Sequence, residues 1–451
     1  MDNGLCRRIA RGVLCALLLS AASFPAGAEP LGNAVVDALN NHPSVEAAEA
    51  NRAALGAQEQ EQYSSFFPHL SVRGSEGGIY ANNATSRGLD VTRGAGNSNF
   101  LEGSVALTQT IYDNRETSDR VSAATARVIS ADFSIADIRE SLALRASLAY
   151  LDVLRSQESL ALVRDHETLL QTYIQQIDGM VKSGAADKSM GVQAQDIIDQ
   201  LRHTKSDIQG QMDSARADYD EIVGTVPADP MPKPVPALDL IPTDAEAAAD
   251  FARHHHPALQ AAAYKEQGLH EDSKADQAHI YPTVTGELSY DNVEQREVIG
   301  GKDVDARALV HLNWDYSLGG AEIAKMREAK QRDNEALDQR EQQEREIING
   351  IEKAYSKMQV ADDQLKVTQD RQDLNVSLVE NNKEQFQGAK MNILQVLQAE
   401  NALFNAKLAL VNDQYRLIAA QYDVLANMGR LVESLDIGPE RSKAPIHVAN
   451  R

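Results

Sequence analysis

The stretch PTVTGELSYD (residues 282–291), followed by VDARALVHLNWDY (304–316), decides the fold. In the first run Pro282, Val284, Gly286, Leu288 and Tyr290 alternate with Thr283, Thr285, Glu287, Ser289 and Asp291. In the second, Val304, Ala306, Ala308, Val310, Leu312, Trp314 and Tyr316 alternate with Asp305, Arg307, Leu309, His311, Asn313 and Asp315. A period of two with one apolar and one charged face marks strands standing between lipid and water. The intervening residues close them into a hairpin.

An earlier hairpin follows the same rule less strictly, with strands expected at about 68–80 and 99–112. Leu101, Gly103, Val105, Leu107 and Ile111 alternate well, but Glu76 interrupts the face begun by Leu70 and Val72, so a bulge is expected there. Tyr80, Tyr112, Tyr281, Trp314 and Tyr316 fall near strand ends, where aromatic girdles sit. Glu287, Asp291, Asp305 and Asp315 fall on the water side and predict an acidic, cation-preferring lumen. Four strands cannot close a membrane barrel, and an open edge in lipid would leave backbone groups unpaired. The barrel must be shared between copies, eight strands for two or twelve for three.

Around the hairpins the chain is one unit written twice. His42-Pro43 recurs as His256-Pro257, and Phe67-Pro68 as Tyr281-Pro282. Further on, Leu107, Ala149-Tyr150 and Val192-Gln193-Ala194 recur as Leu312, Ala354-Tyr355 and Leu397-Gln398-Ala399. Each unit reads helix, hairpin, long helix, helix; the proline-free stretches 116–180 and 321–386 predict helices on the order of 100 Å long. Leu397, Phe404, Val411, Ile418 and Leu425 form a heptad seam, with Leu394, Leu408, Tyr415 and Tyr422 on the partner stripe. The organisation is a signal peptide (1–28), a first repeat (29–225), a proline-rich linker (226–242), a second repeat (243–433) and a polar tail (434–451).

Composition supports this arrangement and excludes others. The chain has 451 residues, 66 acidic against 44 basic side chains, a net charge of −22 and a mean hydropathy of −0.39. So acidic a chain is no nucleic-acid binder, and no later segment approaches ~20 apolar residues. Arg7, Arg8 and Arg11, the apolar run from Val13 to Ser20, and Ala26-Gly27-Ala28 have the form of an export signal. Both cysteines, Cys6 and Cys15, lie within it. His254-His255-His256 is a poor metal candidate, because contiguous helix positions point in different directions. No Gly-x-Ser-x-Gly occurs, and no residue constellation supports an enzyme or a cofactor.

At this point the residues resemble the TolC-like outer-membrane efflux and secretion duct family over nearly all of the mature chain. Leu107-Thr-Gln-Thr-Ile-Tyr-Asp113 looks like its strand-to-helix junction, with Leu318-Gly-Gly320 in the equivalent place. Gln385-Phe-Gln-Gly-Ala389 and Ile393-Leu-Gln-Val-Leu-Gln-Ala399 look like its helix-tip turn and the start of its last helix. The resemblance implies a mainly α fold with a small β part: a homotrimer with a twelve-stranded barrel and a periplasmic tunnel of twelve helices. It implies a passive duct in the outer membrane of a Gram-negative bacterium. A periplasmic adaptor and an inner-membrane ABC or resistance-nodulation-division transporter would be its partners, and outer-membrane lipid its surroundings. Ser183, Gly184, Ala185, Gly388, Ala389 and Lys390 match the tip turns that the adaptor reads. Gln395 and Gln398 match positions where some members line the periplasmic aperture with aspartates, and the repeat places Met190 and Gln193 opposite them; here a neutral constriction is expected. Ala149-Tyr-Leu-Asp-Val-Leu-Arg155 and the tip segment look most like type I protein-secretion members. Drug or small-solute efflux is the alternative, and an adhesive surface coiled coil the remote one.

Overall fold

The computed structural model describes residues 30–81, 96–295, 302–388 and 390–437. The expected signal peptide, Ala389 and all but the first residues of the expected tail lie outside these residues. The first repeat comprises α1 (Leu31–Asn41), α2 (Pro43–Ser64), β1 (His69–Ala81), β2 (Gly96–Tyr112), α3 (Glu116–Lys182) and α4 (Lys188–Val223). The second comprises α5 (Ala245–His255), α6 (Pro257–Ala278), β3 (Thr283–Gln295), β4 (Lys302–Asn313), α7 (Ala321–Gln387) and α8 (Ile393–Asn427). A short α9 (Leu431–Ser434) follows. Both α3 and α7 have 67 residues, about 100 Å at 1.5 Å per residue.

The repeated His-Pro pair has a local reason. Proline occupies the first helical turn of α2 and α6, where its missing N–H costs nothing. The histidine before it is the N-cap: His42 Nδ1 accepts from Ser44 N at 3.1 Å, and His256 Nδ1 from Ala258 N at 3.2 Å. Burial pushes His256 down to about 4, so its imidazole is neutral and free to accept.

The helices pack by heptads. Val163, Leu170 and Ile177 of α3 meet Ala194, Leu201 and Ile208 of α4, with Ile393, Leu397 and Phe404 of α8 completing the tip-side core. Each buried aliphatic side chain contributes roughly 1.5–3 kcal/mol. A second core lies at mid-length, where α1, α3, α4, α8 and α9 bury Val35, Leu142, Tyr150, Tyr219, Tyr422 and Leu431. The proline-rich linker is strapped to the bundle there. Tyr150 Oη donates to Pro232 O at 2.8 Å, and the repeat-equivalent Tyr355 Oη donates to Pro242 O at 2.9 Å. Ile437 is buried in the same core, so packing runs past the expected start of the polar tail at residue 434.

Beneath the strands α3 pairs with α6 through small residues and ion pairs. Gly268 faces Ala123 and Ala126, Arg120 reaches Asp276 at 2.7 Å, and Arg127 pairs with Asp272. No described helix is long and apolar enough to cross a membrane.

Candidate conduit: the two-faced sheet and the helix tips

The four strands form one antiparallel sheet in the order β1-β2-β3-β4, leaving β1 and β4 as free edges. Its register sorts every side chain. One cross-strand row is Leu70, Leu107, Leu288 and Ala308; the next on the same face is Val72, Val105, Tyr290 and Ala306. This face stays open: Val72 is 70% exposed, Leu288 57% and Val310 71%. The opposite face carries the row Arg73, Ser104, Asp291 and Asp305, and the row His69, Thr108, Glu287 and Leu309. Apolar side chains that water surrounds on a whole sheet face call for lipid.

Glu76 does not produce a bulge. The β1–β2 register runs unbroken from His69 to Ala81; among the described residues, the register shifts only between Thr110 and Tyr112, against β3. The reason is visible across the strands: Glu76 shares its row with Leu101, Glu294 and Lys302. Three of four members are charged, so Glu76 lies at the outer limit of the apolar band. From Val284 to Asn292 the band is about 26 Å along the strand, or roughly 20 Å in height at a ~40° tilt.

The expected lumen carboxylates separate in the same way. Glu287, Asp291 and Asp305 share the polar face, but Asp315 follows the end of β4 and no strand register fixes its side. Glu102 and Asp303 belong to that face too. Sequence alternation beside Leu101 and Val304 held this signal. His311 Nε2 lies 3.3 Å from Glu287, and Arg307 pairs with Asp305. With Arg73 included, the polar face keeps an acidic excess.

The expected girdle divides as well. Tyr112, Tyr281, Trp314 and Tyr316 gather where strands meet helices, whereas Tyr80 sits at the far end of β1, beyond the Glu76 row. Tyr63, Phe66 and Phe67 join the near group, all at least 44% exposed and packed edge to face. Tyr63 lies in the last turn of α2 and Phe66 and Phe67 just after it, outside the alternating runs. Trp314 Nε1 donates to Ile280 O at 3.1 Å, tying its indole to the turn that follows α6.

At the other end, α3 and α4 meet in a tight turn. Gly184 takes φ 77°, Ala185 N donates to Met180 O at 2.8 Å, and Asp187 caps α4 through Ser189 N. That bond holds the Asp187 carboxyl below its usual range. The α7–α8 turn differs. Gly388 has φ −76°, Lys390 N donates to Gln385 O at 2.9 Å, and Asn392 caps α8. Ser183, Gly184, Ala185, Gly388 and Lys390 are all solvent-exposed.

Of the four expected aperture residues, Gln193 and Gln398 are exposed on adjoining helices. Gln395 is exposed but engaged: its Oε1 accepts from Asn392 N at 3.4 Å in a capping box. Met190 is half-buried, and its Sδ accepts from Asn392 Nδ2 at 3.5 Å. Among the described residues, no three His, Cys, Asp or Glu side chains are grouped to hold a metal ion. His254 and His255 bond carbonyls of their own helix.

A two-faced sheet with open edges, seated on helices of about 100 Å, has the build of an outer-membrane conduit. Comparison with known proteins agrees. The family model described as "Outer membrane efflux protein" matches residues 34–225 and 249–430. The outer membrane efflux protein BepC of Brucella suis biovar 1 (strain 1330) is 22% identical over 338 residues, 72% of this chain and 72% of that protein. Among solved structures, the Campylobacter jejuni CmeC outer membrane channel matches with a TM-score of 0.75 at 15% identity, covering 89% of this chain and 86% of that one. The Vibrio cholerae outer membrane protein VceC matches with a TM-score of 0.73 at 18% identity, covering 88% and 96%. This chain belongs to the outer membrane efflux protein family. It is an outer-membrane channel with a long periplasmic helical extension, and by family membership a transporter and not an enzyme.

Proposed function

We propose that this chain is the passive exit duct of a tripartite export machine, three copies closing one barrel and one tunnel. The observation that carries this is the open-edged sheet with an apolar face outward and an acidic face inward. Joining β4 of one copy to β1 of the next pairs both free edges and gives twelve strands, wide enough for a lumen. The exposed turn at Ser183–Ala185 and the exposed Gly388 and Lys390 are the surfaces offered to a periplasmic adaptor. The energy comes from the inner-membrane transporter.

Cargo is the finer question, and two readings stand. Type I protein secretion rests on the likeness of two segments to secretion members, Ala149–Arg155 and the tip-to-last-helix segment. Ala149, Tyr150, Leu151, Val153 and Leu154 are buried in the mid-length core, and Tyr150 holds the linker. Side chains so placed do not meet cargo, which weakens the argument. Efflux is the word in the family's description and in that of BepC, which supports the second reading. We therefore favour efflux of small solutes, with protein secretion second. Deleting the gene and measuring both detergent and drug susceptibility and the exported proteome separates them. Hypersensitivity with an intact exported proteome is expected; loss of one large exported protein with unchanged susceptibility overturns the efflux reading.

The lumen and aperture make a further expectation. Glu102, Glu287, Asp291, Asp303 and Asp305, repeated threefold, favour cations. Gln193 and Gln398 are neutral, so divalent cations block weakly at the tip. Planar-bilayer recordings with a reversal potential on the anion side would refute the first; strong block at low cation concentration, lost in Gln398→Ala, would refute the second.

A further inference from the structure

Arg115 and Gly320 hold equivalent places in the two repeats, each immediately before a 67-residue helix, and both are left-handed. Gly320 takes φ 78° at no cost. Arg115 takes φ 70° after Asn114 at φ 53°, a conformation that strains an L-residue. A glycine would serve the backbone equally well, so the arginine side chain needs another reason to be there.

That side chain stands on the rim of a cavity of about 350 Å³ lined by Asn114, Arg115, Asp119, Lys274, Gln277 and Tyr281. Its Asn114 wall adjoins the apolar face of the sheet. Past the bulge, Tyr112 pairs with Val284 and so shares the apolar face, and its hydroxyl donates to Asn114 Oδ1 at 3.2 Å. The cavity also sits below the middle of the sheet, because α3 follows β2 and α6 precedes β3. Copies joined through β1 and β4 therefore leave it uncovered.

Its chemistry is paired. Arg115 and Lys274 are exposed cations, each with one acidic neighbour: Asp119 at 3.5 Å and Glu271 at 2.8 Å. Asn114 and Gln277 add amide groups and Tyr281 a hydroxyl. A balanced set of cations and carboxylates directly beneath an apolar band suits a zwitterionic headgroup better than a purely anionic one. We propose that this cavity binds the phosphoethanolamine headgroup of a phospholipid in the periplasmic leaflet. The phosphate lies between Arg115 and Lys274, the ammonium turns toward Asp119 and Glu271, and the acyl chains rise past Tyr112 and Tyr281 along the outer face. The assignment rests on the apolar face being the lipid face.

The test uses the full-length trimer, delipidated in detergent. Its melting temperature is followed while phosphatidylethanolamine, phosphatidylglycerol, soluble glycerophosphoethanolamine or inorganic phosphate is added. Phosphatidylethanolamine is expected to raise it most. Arg115→Gly and Lys274→Gln should each need roughly 10- to 100-fold more lipid for the same rise. Without lipid, Arg115→Gly should melt at or above the unaltered protein, because its strain is gone. Unchanged lipid dependence in both variants overturns the site. An equal rise from inorganic phosphate or the soluble headgroup overturns the lipid, and an equal rise from phosphatidylglycerol overturns the zwitterionic headgroup.

Discussion

The two long helices α3 and α7 are equal in length and equivalent in the repeat, yet they live in different surroundings. α3 buries side chains from Asp119 to Ile177 and is packed by α1, α2, α4, α6, α8 and α9. α7 buries only Ala329, Asp333, Ala336, Ile351, Ala354, Ala361 and Val379. It also leaves Val360, Val367 and Leu374 at 51%, 67% and 71% exposure, spaced seven apart. A heptad seam left largely open in its own chain suits a second chain. We propose that duplication produced one helix that organises the protomer and one that faces a neighbouring copy.

Substitution should expose this difference sharply. Leu170→Ala, at a fully buried α3 heptad position, should cost about 2–5 kcal/mol of protomer stability. Guanidinium denaturation followed by circular dichroism reads it; a loss below about 1 kcal/mol would mean that the site collapses without a cavity. Val367→Ser with Leu374→Ser should behave in the opposite way. The protomer should keep its helicity, while the trimer dissociates at lower temperature on semi-denaturing gels. If the gel band is unchanged, that stripe does not face a neighbouring copy.

The periodic features were legible in the sequence because burial imposes their period. Alternation around Leu288 and Val310 gave the sheet faces, and the α8 heptad gave a seam whose Leu397, Phe404, Val411 and Leu425 are buried. What failed depended on residues distant in the chain. Glu76 looked like a fault on its own strand, and only the row through Glu294 and Lys302 makes it a boundary. Gln395 is different: Asn392-x-x-Gln395 has capping-box spacing, so its engagement was readable. The linker bonds of Tyr150 and Tyr355 were not, since nothing local pairs a helix tyrosine with a proline carbonyl more than 80 residues or 110 residues away.

The same contrast continues at Glu140 of α3, whose repeat equivalent Arg345 is exposed on α7. The Glu140 carboxylate accepts from Leu431 N at 2.8 Å and Val432 N at 3.3 Å, holding the start of α9 against α3. Burial pushes its carboxyl up to about 7, against the opposing pull of those two N–H groups. The folded protein therefore keeps a proton that the unfolded chain releases near 4.5. This contribution to stability is complete below 4.5 and is lost as pH rises through about 7. Glu140→Gln, whose carbonyl accepts both N–H groups without a charge, should flatten the fall in melting temperature across that window. An equally steep fall in the variant would place the dependence on other carboxyls.

The smallest effect separates the two linker tyrosines. Tyr150 is fully buried in the mid-length core, whereas Tyr355 is half-buried beside an open groove formed by α7, α8 and the linker. Removing either hydroxyl leaves a proline carbonyl without its donor, which costs about 1–3 kcal/mol when water cannot reach it and less when it can. Tyr150→Phe should therefore lose about 1 kcal/mol or more, and Tyr355→Phe only a fraction of that. Urea midpoints with unchanged slopes would report both values. Equal losses would mean that α7 is as dry as α3 at this height, and the division into an organising helix and a neighbour-facing helix would hold only nearer the tips.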